Sequence, residues 1–180
     1  MRPTEVYRSR FSAALALVTI ALSVVLLATT LVTSGPEAAA RYAGPLGLLA
    51  LGAWAAYWRP QVEVSDGGLV IRNVWRTTTI PWPAVNEVET RYGLRVHTAY
   101  GRFAAWAVPA PAREVRRSGR DVEPHEGAAL VVDRWRALRA EGHLDDPRLE
   151  RPRPDVRVHG ATVAAAAALL LLTAAGVLTG

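Results

Sequence analysis

Gln61-Val62-Glu63-Val64-Ser65-Asp66-Gly67-Gly68-Leu69-Val70-Ile71-Arg72-Asn73 is the stretch on which the fold turns. Val62 and Val64 alternate with Gln61, Glu63 and Ser65, the period of a half-buried strand. Asp66-Gly67-Gly68 then offers a tight turn, because glycine tolerates positive φ, and Leu69-Val70-Ile71 resumes the apolar pattern. The segment therefore predicts a β-hairpin.

Short strands continue downstream. Arg76–Ile80 carries three successive threonines, and Pro81-Trp82-Pro83 ends it, since proline cannot donate to a ladder. Val85–Thr90, Leu94–Thr98 and Arg102–Val108 follow, the last two introduced by Gly93 and Gly101. Six to seven strands in so short a span predict a small antiparallel β-barrel or sandwich. Pro109-Ala110-Pro111 closes the strand region, and a loop with Arg113, Arg116, Arg117 and Arg120 comes next. A helix is expected from about Pro124 to Glu141, with Gly142 just past its end. Ala128, Val131, Trp135 and Leu138 recur on one face, which makes Trp135 the expected anchor on the sheets.

Upstream lie two uncharged apolar runs, Phe11–Thr33 and Tyr42–Trp58, and a third, Gly160–Gly180, ends the sequence. About 20 apolar residues span the roughly 30 Å hydrocarbon layer as a helix. Phe11–Thr33 would reach about 34 Å at 1.5 Å per residue; a cleaved signal peptide is the rival reading, but its apolar core is normally about 7–15 residues. Tyr42–Trp58 reaches only about 25 Å, with Trp54, Tyr57 and Trp58 gathered at its end as interfacial anchors. A re-entrant segment is its alternative. Arg2, Arg8 and Arg10 precede the first run, and Arg148, Arg151, Arg153 and Arg157 precede the last. By the positive-inside rule the N-terminus and the central domain are expected in the cytoplasm and the C-terminus outside. The expected order is a cytoplasmic N-terminus (1–10), transmembrane helices at 11–33 and 42–58 joined by an external loop (34–41), a domain (59–142), a polar tether (143–159) and a third transmembrane helix (160–180). The localisation that follows is the cell membrane, multi-pass.

The sequence contains no cysteine, which excludes disulfides and thiol chemistry. All 21 basic residues are arginine, consistent with the codon bias of a GC-rich genome. Between Arg59 and His159, 17 arginines face 14 acidic residues, too balanced for a dedicated nucleic-acid binder. No acidic residue, arginine or histidine lies inside an apolar run, which argues against an ion or proton pathway.

Strands in hairpins closed by one C-terminal helix form the pleckstrin-homology (PH) layout. Trp58-Arg59-Pro60, Asp66-Gly67-Gly68-Leu69, Arg72-Asn73, Ile80-Pro81-Trp82 and Val85 stand in an order that resembles the bacterial PH-like domains of small actinobacterial membrane proteins, the low-molecular-weight antigen 6 type. The resemblance covers about Trp58 to Leu138. It implies a PH-like α+β domain behind an apolar hairpin and brings no catalytic residues; a third span after the domain is less typical of that family.

Nothing in the sequence points to a catalytic, cofactor or metal site. His125-Glu126 lacks the second histidine of a zinc motif, because position 129 is Ala. His97 shares a strand face with Arg95 and is expected to be solvated; Asp145-Asp146 reads as part of the tether. The expected function is therefore non-enzymatic: a membrane-anchored module for protein–protein interaction or self-assembly, using an exposed sheet edge. A second expectation is a sensor of anionic lipid headgroups through Arg113, Arg116, Arg117 and Arg120. A third is an accessory subunit of a larger membrane complex, held by its apolar spans. The first hairpin carries Glu63 and Asp66, which argues against specific phosphoinositide binding there.

Overall fold

A computed structural model describes residues 3–109, 126–142, 144 and 152–178. The chain divides into two compact units, one of residues 1–9 with 60–157 and one of residues 10–59 with 158–180.

The first unit holds two antiparallel sheets and a helix. Strands β1 (Glu5–Tyr7), β2 (Gln61–Val64), β3 (Gly68–Arg72) and β4 (Arg76–Pro81) are neighbours in that order, and β8 (Asp155–Val158) lies beyond β4. Strands β5 (Val85–Glu89), β6 (Arg95–Thr98) and β7 (Gly101–Ala104) form the second sheet. The β2–β3 hairpin has the expected register, with Val64 opposite Leu69 and Gln61 opposite Arg72. Ser65 Oγ donates to the Gly68 carbonyl across the turn at 3.0 Å. A 3-10 turn, Trp82–Ala84, carries the chain between sheets. Trp82 is buried there, and its Nε1–H donates to the Ser65 carbonyl at 2.8 Å, tying the hairpin tip to the sheet crossing.

Several expectations need correction. The sheets do not close into a barrel; they remain separate, of five and three strands. The expected N-terminal segment 1–10 contains β1, paired with β2 with Tyr7 opposite Val62. The expected tether 143–159 contains β8. The strand expected to run to Val108 ends at Ala104, because Ala105 and Val108 bond around Leu94 instead: Ala105 N–H donates to the Leu94 carbonyl at 2.9 Å and Leu94 N–H to the Val108 carbonyl at 3.2 Å.

Helix α2 (Glu126–Ala140) follows the sheets. Gly142, at φ 73°, ends it as expected, with its N–H donating to the Arg139 carbonyl at 3.0 Å. Val131 and Ala128 are its buried centre, and they join Leu69, Ile71, Ile80, Leu94 and Val96 in one core. Trp135 is only partly buried, with the Arg139 guanidinium 5.1 Å from its ring centroid. The anchoring role expected of Trp135 therefore belongs to Val131. Gly127 faces the Tyr7 ring so closely that a Cβ there would lie 2.4 Å from Tyr7 Cδ1.

The second unit is helical. Helix α1 (Arg10–Ala53) is two limbs meeting at Gly35, whose φ of 83° and ψ of 177° are not helical. Gly35 suits the end of the first limb and Pro36 the first turn of the second. The expected 34–41 loop thus reduces to a single residue. Straight, 44 residues would reach about 66 Å. Tyr7 and Val62 sit opposite each other just outside the two ends of this segment, so the limbs must double back. Trp54–Trp58 forms a π-helical turn, with Arg59 N–H donating to the Trp54 carbonyl at 3.0 Å. Helix α3 (Gly160–Leu178) runs antiparallel to the second limb: Gly44 abuts Thr173, Gly47 abuts Leu169, and Gly176 abuts Arg41.

Burial in these helices runs opposite to that of a water-soluble bundle. The buried residues of α1 are Ala16, Ser23, Ala39, Gly44 and Ala53, all small. Leu17, Val18, Leu22, Val25 and Leu31 are exposed. Both α1 with its π-helical turn and α3 are long and apolar enough to cross a membrane.

Candidate functional site

Asn73 organises one end of the sheets. Its backbone N–H donates to the Arg76 carbonyl at 2.8 Å, closing the β3–β4 turn. Its side chain reaches the other sheet, where Nδ2 donates to the Ala104 carbonyl and Oδ1 accepts from Trp106 N–H, both at 2.8 Å. An amide suits this task because it donates and accepts at once. The clamp turns the 105–108 segment so that Ala105, Ala107 and Val108 are buried while Trp106 projects outward.

Beside the clamp lies a cleft of about 530 Å³, lined by Asn73, Arg76, Tyr92, Arg95 and Trp106 over a floor that includes Leu94 and Val108. Among the described residues no carboxylate lines it. Tyr92, in the β5–β6 turn, lies between two guanidiniums, Arg91 at 5.5 Å and Arg95 at 5.9 Å from its ring centroid. Trp75 sits at the neighbouring β3–β4 turn and is 53% exposed; Trp106 is 62% exposed and Tyr92 43%. Tyr92, Trp106, Arg76 and Arg95 thus share one rim, with Arg91 against Tyr92 and Trp75 beside Arg76 in sequence.

The acids of the β2–β3 hairpin are arranged differently. Asp66 at the β2–β3 tip pairs with Arg134 of α2. Glu63 pairs with Arg72 at 2.8 Å and accepts from Gln61 Nε2, and Gln61 Oε1 accepts from Arg8 at 2.6 Å. The two acids that argued against an anion site in this hairpin are each neutralised by an arginine. Moreover, the first hairpin of the sheet is β1–β2, and helix α1 is inserted between its strands. At Tyr7 burial, with Glu126 adding to it, raises the phenol above its ordinary value.

Arg113, Arg116, Arg117 and Arg120 lie outside the described residues, as do His125, His143 and Asp145-Asp146. His97 is on the Arg95 face of β6, half-buried, with Nε2 3.2 Å from Glu89 Oε2. No group of acidic or histidine side chains suited to a metal ion occurs among the described residues. The rim of Trp75, Tyr92, Trp106, Arg76, Arg91 and Arg95 was not singled out from the sequence. The local signal was there, in Trp75-Arg76 and Arg91-Tyr92 next to turn residues, but only the Asn73 clamp brings Trp106 to them.

Residues 59–169 match a family described as bacterial PH domain. The match extends past α2 through β8 and into α3. Neither a curated protein nor a solved structure matches the chain significantly.

Proposed function

The chain belongs to the bacterial PH domain family, and we propose that it is a non-enzymatic interaction module anchored in the cell membrane by its helical unit, with the PH domain on the cytoplasmic face. The observation that carries this reading is the burial pattern of α1. Small residues pack inward while Leu and Val face outward, which costs little in lipid and much in water. Hydroxyls within the helices support it as well. Thr19, Ser23, Thr30 and Thr173 each donate to the carbonyl four residues earlier, so none requires water. The orientation rests on Arg8 and Arg10 before α1 and on Arg153 and Arg157 before α3. The closer likeness to the low-molecular-weight antigen 6 type, and a partner protein or further copies of the chain as the bound species, belong to the same proposal.

A binding role along a sheet edge has limited room. Strands β1 and β8 cover the long strands of the first sheet, and β5 is bulged between Val85 and Glu87. Short and bulged edges resist added strands. The rim around Trp106 is the better candidate surface. The anchoring is tested by carbonate extraction of membranes carrying the full chain, together with protease accessibility of a tag placed near Gly119. Retention in the pellet and protection in intact cells are expected. Release by carbonate, or cleavage of the tag from outside, refutes the reading.

A further inference from the structure

We infer that the domain assembles head to tail: the Trp106 ring of one copy enters a groove lined by Pro3, Val64 and Leu130 of the next, with Arg76 and Arg95 facing Glu5 and Asp133. This rests on the proposal above in taking further copies of the chain as the bound species, and it assigns the two surfaces that meet.

Three observations carry it. The first is a projecting ring flanked by cations. The Asn73 clamp fixes the 105–108 segment, and between buried Ala105 and Ala107 the Trp106 ring stands out into solvent. Arg76 and Arg95 line the cleft beside it, and neither forms an ion pair among the described residues. Tryptophan and arginine are the side chains that most often dominate an interface. The second is a receiving groove of complementary character. It holds about 230 Å³ between β1, the β2–β3 tip and α2, with Pro3, Val64 and Leu130 as its apolar lining and Glu5, Asp66 and Asp133 as its acids. Asp66 is held by Arg134, whereas Glu5 and Asp133 are exposed and form no ion pair among the described residues. An apolar hole bordered by these acids matches an apolar ring bordered by arginines, in shape and in sign. The third is separation. Strand β3 runs from the Ser65–Gly67 turn, which borders the groove, to Asn73, which borders the cleft. Its five residues extend about 17 Å at about 3.3 Å each. One domain therefore cannot seat its own Trp106 in its own groove. Unlike patches at opposite ends of a molecule make a heterologous contact, which repeats from copy to copy.

The absence of native cysteine permits single-site crosslinking of the full chain in mild detergent. One preparation carries Pro3→Cys, in the groove, and another Ala104→Cys, in the cleft. With a short bifunctional maleimide, the mixture is expected to give a P3C–A104C dimer, and each preparation alone only background. The yield should fall at about 1 M salt, where screening shortens to about 3 Å. W106A, R76E/R95E and E5R/D133R, all confined to exposed side chains, should each lower it by about tenfold or more. Mixing the two charge reversals, R76E/R95E with A104C and E5R/D133R with P3C, should restore it, because the reversed cleft then meets a reversed groove. That rescue also shows that both variants fold. Crosslinking of A104C with itself as efficient as with P3C overturns the inference. So does a P3C–A104C dimer that withstands W106A and both reversals, as contacts through the helices alone would give, or a mixture of reversals that stays at background. Absence of any dimer overturns it too and leaves a partner protein as the bound species. Release of the chain by carbonate refutes the anchored reading and not this contact, which is read in detergent.

Discussion

Gly127→Ala tests whether the N-terminal strand belongs to the domain. In the second residue of α2 an alanine Cβ would lie 2.4 Å from Tyr7 Cδ1 and 2.7 Å from Cγ. Carbon atoms in ordinary contact stand about 3.5–4.0 Å apart, so the ring must retreat by more than an ångström. The atoms met are the base of the ring, which cannot swing aside without moving β1. Overpacking of this kind costs about 1–3 kcal/mol. Against it stands the helix preference for alanine over glycine, at most about 1 kcal/mol. The net expectation is a loss of up to about 2 kcal/mol. The decisive comparison is the same substitution in a Tyr7→Ala background. There the obstacle is gone, and only the helical preference remains, so Gly127→Ala should stabilise. The assay is urea unfolding of the full chain in mild detergent, followed by tryptophan fluorescence, with all four members of the cycle compared. A change of sign between backgrounds is the signature of direct contact. Equal stabilisation in both would refute the packing of Tyr7 on α2, and with it the assignment of β1 to the sheet.

Trp82→Ala removes a buried ring and its bond to the Ser65 carbonyl, and should cost about 3–5 kcal/mol in the same unfolding assay. Gly44→Ala would place a Cβ 2.7 Å from the Thr173 backbone nitrogen, so α1 and α3 must separate; crosslinking between cysteines introduced at positions 47 and 169 should fall. Tyr7 makes stability depend on alkaline pH. Its folded-state value is raised, so the folded chain holds the proton longer and the contribution is complete below about pH 10. It is lost as pH climbs through the raised value, and Tyr7→Phe should flatten the profile measured between pH 9 and 12, a window set around that ordinary value of ~10.

The β2–β3 hairpin was legible because everything that makes it is local: alternating valines, an Asp-Gly-Gly turn and a fixed register. Strands β1 and β8 were not. Each has three or four residues, too few to show a period; β1 is separated from β2 by a long apolar helix, and β8 from β4 by the second sheet and α2. Periodicity found the inward face of α2 but not its depth, so Trp135 was expected where Val131 sits. Glu37, Arg41 and Pro36 read as a loop, yet a glycine able to adopt φ of 83° lets the second limb begin at once and absorb them. The candidate site divides in the same way. Arg113, Arg116, Arg117 and Arg120 drew attention because they are adjacent in sequence. The cationic rim that the structure describes draws on Arg76, Arg91 and Arg95, which become neighbours only through two turns and one asparagine.

The insertion of α1 between β1 and β2 constrains topology independently of any charge count. Two strands paired in register occupy the same side of a bilayer. If α1 enters a bilayer as proposed, Tyr7 opposite Val62 requires that the chain between them cross an even number of times. A single tilted span from Arg10 to Ala53 is incompatible with that pairing, whatever its length. A kink at Gly35 that returns the chain, with limbs 10–34 and 36–53 reaching about 37 and about 27 Å at 1.5 Å per residue, would satisfy it with two crossings. On the anchoring proposed above, helix α3, which follows β8 at the far edge of the same sheet, would cross once and put Leu178 on the opposite face. The antiparallel packing of Gly176 against Arg41 and Gly47 against Leu169 is what this arrangement demands, because both the Gly35 turn and the end of α3 then lie at the same membrane surface. Strand pairing and helix packing belong to different units and were formed by different contacts. Both are compatible with the two crossings proposed for α1.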